Sequence, residues 1–431
     1  MNVLVVGGGG REHALVWTLA KSPGVKRLCA APGNAGIADQ AECVPISAGD
    51  IPALVRFARE HRVDLTVIGP EAPLVSGIVD AFAESGMRAF GPSRAASLLE
   101  GSKSFAKGVM QEAGVACARS QTFTERRKAQ EFARGLGLPV VVKADGLAQG
   151  KGVRICHTED EISQTLSDMM EKACFGDAGR KVVIEEYLTG EECSILALVD
   201  GHTCVLLEPS QDHKRLHDGD MGPNTGGMGA YSPVPFINHA LQKAIQEEIF
   251  LPVVDALAGR GTLYRGVLYA GLMLTEEGPK VLEFNCRFGD PETQAVLPRL
   301  KSDLLAHMLA VCEGRLAQEH LEWDERAAVC VVAASGGYPG KYEKGKLIEG
   351  LERAAQLRDL MIFHSGTCRD PETKRLVTDG GRVLSVTGMG RDIQAARSRV
   401  YSALKELSFE NMIYRSDISD RSKAPGLRRS A

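Results

Sequence analysis

Apolar positions follow two different patterns along this chain. In the first hundred residues the short runs Val3–Val6, Arg27–Ala30 and Leu65–Ile68 alternate with helical spacing such as Glu12–Lys21. That alternation predicts βαβ units around a mostly parallel sheet. Each run ends in a loop rich in Gly, Pro or Asn: 7–10, 32–36 and 69–73. In open α/β sheets the loops at the carboxyl ends of strands are where ligands bind.

The texture changes near Gly101. The spacing predicts a helix over 103–113, a strand within 117–123, a helix over 126–136 and a strand over 139–143. A loop from Ala144 to Gly152 and a returning strand, Val153–Cys156, follow. Further strands are predicted at 181–185 and 193–199. Residues 208–235 have no periodicity and read as one long irregular loop, the kind that in a compact domain is usually functional. A helix over 240–258, a hairpin pairing 266–274 with 279–284, a strand at 327–334 and a closing helix over 393–407 complete the prediction. The polar, basic segment 419–431 reads as a frayed tail.

A chain of 431 residues exceeds one hydrophobic core and implies two to four domains. Its 51 Lys and Arg against 55 Asp and Glu leave a net charge of −4. No global basic field is therefore available to coat a nucleic acid. The 11 cysteines are scattered and never spaced as Cys-x-x-Cys, which argues against a disulfide framework or zinc ribbon and for a reducing compartment. The start lacks the basic and small-residue flanks of a signal peptide, and no apolar run is long enough for a membrane span. A cytoplasmic protein with neither nucleic-acid nor membrane partners is expected. The 47 glycines, about 11% of the chain against a usual share of about 7%, carry no Gly-X-Y period and need another explanation.

Four motifs supply one. Gly7–Gly10 before a helix invites a dinucleotide fingerprint, but Glu12 stands where the third glycine belongs and the second strand ends without an acid. The loop still offers backbone amides and Arg11 to a phosphate. The stretch 140–153 is a strand ending in Lys143, then a loop with Gly146, Gly150, Lys151 and Gly152, then a strand. No Ser or Thr follows Lys151 and no helix follows the loop, so it is not a P-loop; a Gly-rich hairpin over nucleotide phosphates is the alternative, although an exposed hairpin with lysines for solubility has the same outline. The apolar run Val182–Ile184 stops at Glu185 and Glu186, followed by Tyr187 and Leu188. Such a strand can offer backbone to an adenine edge, with Glu191 accepting from ribose hydroxyls, although a strand ending in two glutamates is also an ordinary surface rim. Finally, Glu283, Asn285 and Arg287 alternate on one strand face, which suits a divalent cation and the phosphates it bridges, with Arg287 stabilising charge on the transferred group. His213, in the long loop, fits a general base or a positioning role equally well.

In that order, these motifs resemble the ATP-grasp superfamily. The segments 9–14, 31–36, 69–74, 210–215, 222–232 and 283–292 resemble, more narrowly, the phosphoribosylamine–glycine ligase family, over residues 1 to 415. The resemblance implies an α/β protein with an N-terminal open parallel-sheet (pre-ATP-grasp) domain at 1–100 and a two-part ATP-grasp core at 101–325. Within that core 120–190 would be a mobile subdomain covering the nucleotide, and a small mixed β/α domain would occupy 326–418. It implies ATP as co-substrate with Mg²⁺ or Mn²⁺ on Glu283 and Asn285, and glycine and 5-phosphoribosylamine as the other substrates of a monomer.

Lys103 and Lys143 would meet ATP, and Arg287, Lys143, Lys214 and Asp212 would carry catalysis. Gly10, Arg11, Glu12, Asn34, Gly36, Gly69, Pro70, Glu71, Asp212, Asn224, Thr225, Gly226, Gly227, Met228, Arg287 and Asp290 would receive the substrates, with Arg11 and nearby amides at the 5-phosphate. Another ATP-grasp ligase using a different acid would differ in the N-terminal phosphate loops, and a non-catalytic nucleotide-binding regulator would be expected to lack Glu283, Asn285 or Arg287. One departure is plain: the family commonly has Asn where this chain has Gly8.

Overall fold

The computed structural model describes residues 1–147, 152–172 and 174–420. The first hundred residues form the expected parallel sheet, ordered 42–43, 27–32, 2–7, 65–68 and 89–90. Because side chains alternate along a strand, this sheet is apolar on both faces. Val3, Val5, Leu28, Ala30, Leu65 and Val67 pack against Leu15, Leu19 and the helices after Val296. Leu4, Val6, Cys29, Ala31 and Ile68 pack on Leu54, Phe57, Ile78 and Phe82. Burial on both faces is what makes these strands continuous hydrophobic runs in sequence.

Two antiparallel sheets build the middle of the chain. One, ordered 204–206, 191–200, 265–275 and 278–285, carries the expected hairpin. The other, ordered 120–123, 182–186, 140–144 and 153–156, holds the predicted strand–loop–strand: Lys143 lies opposite Val153, and the Ala144 amide donates to the Gly152 carbonyl at 2.8 Å. Val140, Val142, Ala144, Val182 and Ile184 face Ala129, Ala133, Ile162 and Leu166 on its covering helices. The opposite face of the same strands is left to Lys143 and Glu185.

The stretch 208–235 is not a structureless loop. It contains the strands 211–212 and 229–232, which join 327–334, 382–390 and 360–364 in one antiparallel sheet. Between them 215–217 and 221–224 form a small hairpin. These strands are too short to generate a period, and the one that ties them to the sheet, 229–232, has its partner about a hundred residues away, so the local pattern could not reveal them. Two residues expected in the frayed tail, Ser419 and Asp420, are held by the fold. Ser419 is buried, its amide donating to His213 Nε2 at 3.4 Å, and Asp420 pairs with Arg397 at 3.1 Å. Residues 421–431 lie outside the described part.

The first helix, Gly10–Leu19, meets the C-terminal strand Leu360–His364 through aromatic rings. His13 lies edge-on to Phe363 at 5.6 Å, Trp17 does the same at 5.8 Å, and the His364 amide donates to His13 Nδ1 at 2.8 Å. Burial, reinforced by the neighbouring His364, lowers the His13 pKa to about 3, and burial lowers that of His364 to about 4. An unfolded imidazole titrates near 6.5, so the unfolded chain binds more protons throughout the interval below that value. The stability gained by keeping these rings neutral is complete above pH 6.5 and is lost as pH falls toward 4 and then 3. The urea midpoint should therefore decline between pH 6.5 and 4, and His13→Asn should flatten that decline whatever it does to stability at pH 8. An unchanged slope would show that His13 is not a source of the acid sensitivity.

Candidate functional site

The site is assembled where the strand Gly278–Asn285 ends beneath the Lys143 hairpin and beside the N-terminal loops. Glu283 is its electrostatic centre. Burial alone would raise its pKa, but Lys214, Lys143, Lys103 and Arg287 together hold it below the ordinary carboxylate value. Lys214 pairs with Glu192 at 3.0 Å, and that carboxylate, with Glu283 and Asp212, raises its pKa against the cost of burial. Lys103 opens the helix Lys103–Glu112, capped by Ser102, and donates to the Gly146 carbonyl at 3.2 Å. Lys103 is shifted the other way: burial, together with the charge of Lys143, outweighs Glu283 and lowers its pKa.

The Arg287 guanidinium is held from four directions. It pairs with Glu100 at 3.0 Å and Glu71 at 3.3 Å, and donates to the Phe288 carbonyl at 3.2 Å and to Asn285 Oδ1 at 3.3 Å. These carboxylates raise its pKa despite burial. The expected common face of Glu283, Asn285 and Arg287 is present, although Arg287 lies just past the strand end.

At the N-terminal loops the structure places an anion of its own. Glu12 reaches back to accept from the Gly9 amide at 2.6 Å, and its other oxygen accepts from Arg11 Nε at 2.6 Å. Any side chain at Gly69 would collide with this carboxylate, since a Cβ there would lie 2.1 Å from Glu12 Oε1. Gly69, followed by Pro70 as cap of the helix Glu71–Val75, is thus the wall of a cradle for Glu12. Arg11 is buried and turned inward, donating to the Phe288 carbonyl at 3.2 Å and lying 4.0 Å from Glu71. The guanidinium expected at a substrate phosphate is therefore engaged inside the protein in this state. Asn34 is a joint: its amide donates to Gly8 O at 2.9 Å and His364 O at 2.7 Å, and its oxygen accepts from the Gly36 and Ile37 amides, each at 2.9 Å. Gly10 packs where a Cβ would meet Gln294 and Ser365, each at 2.6 Å.

The loop 224–228 is tied down by backbone. Thr225 Oγ1 donates to the Lys214 carbonyl at 2.9 Å and accepts from the Gly227 amide at 3.0 Å. Gly227 has φ +108°, and a Cβ there would meet Asp212 Oδ1 at 2.7 Å. That Asp212 oxygen is buried and has no hydrogen-bond partner among the described residues. Burial and the adjacent Glu292 raise the Asp212 pKa well above its ordinary value, against Lys214. Met228 presents no side chain to the cleft, being fully buried with Leu216 and Ala334. Asp290 accepts from Gln294 at 2.6 Å and pairs with Arg382 at 3.1 Å.

On the strand Val182–Glu186, the expected hinge to the covering subdomain, Glu185 is buried between two lysines, pairing with Lys143 at 2.7 Å and Lys107 at 3.1 Å. Its carboxylate is not on an open rim. Glu186 accepts from the Arg119 amide at 2.8 Å, Tyr187 is exposed, and Leu188 packs on Ala118 and Met273. Glu191 opens the next strand opposite Leu274. Gly150 and Lys151 lie outside the described residues.

Five participants escape the sequence reading: Lys107, Glu100, Asp145, Glu292 and Arg382. Asp145 accepts from Ser104 N at 2.8 Å, Ser104 Oγ at 2.7 Å and Ser102 Oγ at 3.0 Å, anchoring the hairpin to the Lys103 helix. Glu292 accepts from Tyr269 at 2.6 Å, and Arg382 donates to Gly226 O at 2.7 Å. Only Lys107, one turn after Lys103, carried a usable signal. A cavity of about 1150 Å³ lies between 153–157, the 215–224 hairpin and 337–340; among the described residues, Asn224 is the expected site residue that lines it.

An N-terminal parallel sheet, a strand–loop–strand cover and a Glu-x-Asn strand beneath it define the ATP-grasp class. Family models agree: those described as the N domain, the ATP-grasp (A) domain and the C domain of phosphoribosylglycinamide synthetase match residues 1–100, 101–293 and 328–421. The chain belongs to the phosphoribosylglycinamide synthetase family. Phosphoribosylamine–glycine ligase of Halalkalibacterium halodurans is 49% identical over 98% of both chains, and that of Escherichia coli K12 is 47% identical over 98% of both. The crystal structure of phosphoribosylamine–glycine ligase from Thermotoga maritima superposes with a TM-score of 0.85 at 35% identity, covering 97% of this chain and 100% of that one. The biotin carboxylase of Campylobacter jejuni shares the fold alone, with a TM-score of 0.73 at 16% identity over 96% of this chain and 93% of that one.

The departure at Gly8 has a steric basis. A Cβ there would lie 2.4 Å from the Gly33 carbonyl oxygen, and Gly33 itself has φ +72°. This chain has closed its second loop onto a bare backbone, and Asn at position 8 would force the 33–34 turn outward. Gly8→Asn should destabilise the protein by about 1–3 kcal/mol, the usual cost of overpacking, read as a lowered denaturation midpoint. A midpoint equal to wild type would show that the loop yields freely.

Proposed function

We propose that this chain ligates glycine to 5-phosphoribosylamine at the expense of ATP, giving glycinamide ribonucleotide, ADP and phosphate in purine biosynthesis. The observation that carries this reading is the ring of Lys103, Lys143, Lys214 and Arg287 around Glu283, in a chain aligned end to end with proteins of that name. Phosphoryl transfer needs chiefly alignment and charge neutralisation, which four cations at one carboxylate supply.

The glycine carboxylate attacks the γ-phosphorus of ATP, releasing ADP and forming glycyl phosphate. The ribosyl amine then attacks the acyl carbon, the C–O bond to phosphate breaks, and the amine gives up a proton. Lys103 and Lys143 neutralise the nucleotide phosphates and Arg287 the transferred group. Lys214 and Asp212 face the acyl centre, and the orphaned Asp212 oxygen is suited to accept from an amine. The 10–12, 34–36 and 69–71 loops with 224–228 and Asp290 receive the substrates. On this reading the chain divides at residues 100 and 325, with 120–190 as the covering subdomain: the 10–12, 34–36 and 69–71 loops come from the first part, and the other contacts come from the core.

Glu283 and Asn285 fit a divalent cation of the Mg²⁺ or Mn²⁺ kind: both offer oxygen, and the surrounding cations keep Glu283 anionic. Among the described residues no group of three or more His, Cys, Asp or Glu could hold a metal ion. When bound, the cation would neutralise charge on the β- and γ-phosphates. Also among the described residues, no helix is long and apolar enough to cross a membrane.

Purified protein with ATP, Mg²⁺, glycine and freshly generated phosphoribosylamine should release ADP only when all components are present, and release that ignores glycine would overturn the assignment. Arg287→Ala should lower kcat/KM by about 10³-fold, as for other arginines that clamp a transferring phosphoryl group. Turnover close to wild type in a folded variant would remove Arg287 from the chemistry.

A further inference from the structure

The cleft contains a buried charge trio that the ligation chemistry leaves unexplained. Lys143 and Glu185 sit on adjacent antiparallel strands, with Val141 opposite Glu185 and Lys143 opposite Val183. They are diagonal neighbours on one face. Lys143 takes Glu185 Oε2 at 2.7 Å and the Leu282 carbonyl at 3.0 Å. Lys107 arrives from outside that sheet, on the helix Lys103–Glu112, to take Glu185 Oε1 at 3.1 Å and the Ala118 carbonyl at 3.3 Å. The side chains of Lys107, Glu185 and Lys143 are 11%, 3% and 7% exposed.

The charge balance gives Lys107 a purpose. A lysine paired alone with a buried carboxylate is a neutral dipole and attracts a phosphate weakly, whereas at low dielectric every unit of charge counts. The second lysine turns the pair into a cationic trio. Lys103 and Lys107, four residues apart, lie on one face of their helix, so one element delivers a cation to the hairpin backbone at Gly146 and another to the hinge strand. Burial would raise the Glu185 pKa, yet Lys143 and Lys107 hold it below its ordinary value, so the anion persists and needs both partners.

We infer that Lys107 is a positioning residue for ATP: by taking the second oxygen of Glu185 it leaves the charge of Lys143 available to the nucleotide phosphates. This rests on the ATP-ligase reading of the same cleft. A simple bolt between helix and sheet would make the same contacts, so the test must read charge and not packing.

Lys107→Met should weaken ATP, raising its KM about tenfold, the effect of losing a hydrogen bond to a charged group, while the KM for glycine is unchanged. Lys107→Met combined with Glu185→Gln removes the orphaned anion along with its partner and should recover most of the loss, and Lys107→Arg should stay near wild type. If the Met variant does not fold, Lys107→Gln, alone and with Glu185→Gln, carries the same expectations. An ATP KM unaltered by loss of Lys107, or a double variant no better than the single, would overturn the inference. Wild-type protein that releases no ADP with glycine and phosphoribosylamine would overturn the ligase reading instead, and ATP affinity measured by titration without the other substrates would still report on Lys107.

Discussion

Mutual repulsion among like charges is the constraint that shapes this molecule. A site built for a triphosphate must gather cations, and those cations must remain folded together when no phosphate is there to separate them. The chain meets this by interleaving carboxylates. Glu283 sits among four positive groups, Glu185 between Lys107 and Lys143, Glu192 on Lys214, and Glu71 with Glu100 on Arg287. Such pairs add little to net stability when buried, because desolvation cancels much of the attraction. What they fix is position: each ammonium or guanidinium is held in place before a ligand arrives, which is the preorganisation that electrostatic catalysis draws on.

The same economy appears at the N-terminal loops, where Glu12 occupies the start of a helix that would otherwise present bare amides. Glycines at 7, 9 and 69 close around that carboxylate at distances no side chain tolerates. Arg11 and Arg287, from opposite ends of the site, converge on the Phe288 carbonyl and on Glu71. The loops that would receive the amine substrate are therefore mechanically joined to the arginine that would clamp the phosphoryl group.

Legibility in the sequence followed contact range. The parallel strands, the Lys143 hairpin and the Glu283–Asn285 strand were readable because their signals are local: apolar runs, glycines in a turn and alternation on a strand. Strands 211–212 and 229–232 were not, since 211–212 is two residues long and pairs only with 229–232, which is itself defined by a partner in the C-terminal region. Residue types were read more reliably than their tasks. Arg11 and Glu185 carry the charges expected of ligand-binding groups, yet each is engaged by neighbouring protein groups. Glu100 and Arg382 stood in unremarkable stretches, and only the fold brings them to Arg287 and Gly226.

The shared C-terminal sheet also sets an order of events during synthesis. Strand 229–232 pairs with 327–334, which in turn pairs with 382–390. The strand bearing Asp212 pairs with 229–232, which is ordered by backbone that emerges from the ribosome roughly a hundred residues later, whereas the strand pairings of the N-terminal sheet and of the Lys143 hairpin are made within their own stretches of chain. Domains fold as they emerge, so a nascent chain can pair its Lys143 hairpin well before the 211–232 segment meets its C-terminal partner. On the ligase reading, the site is complete only once the C-terminal sheet has formed.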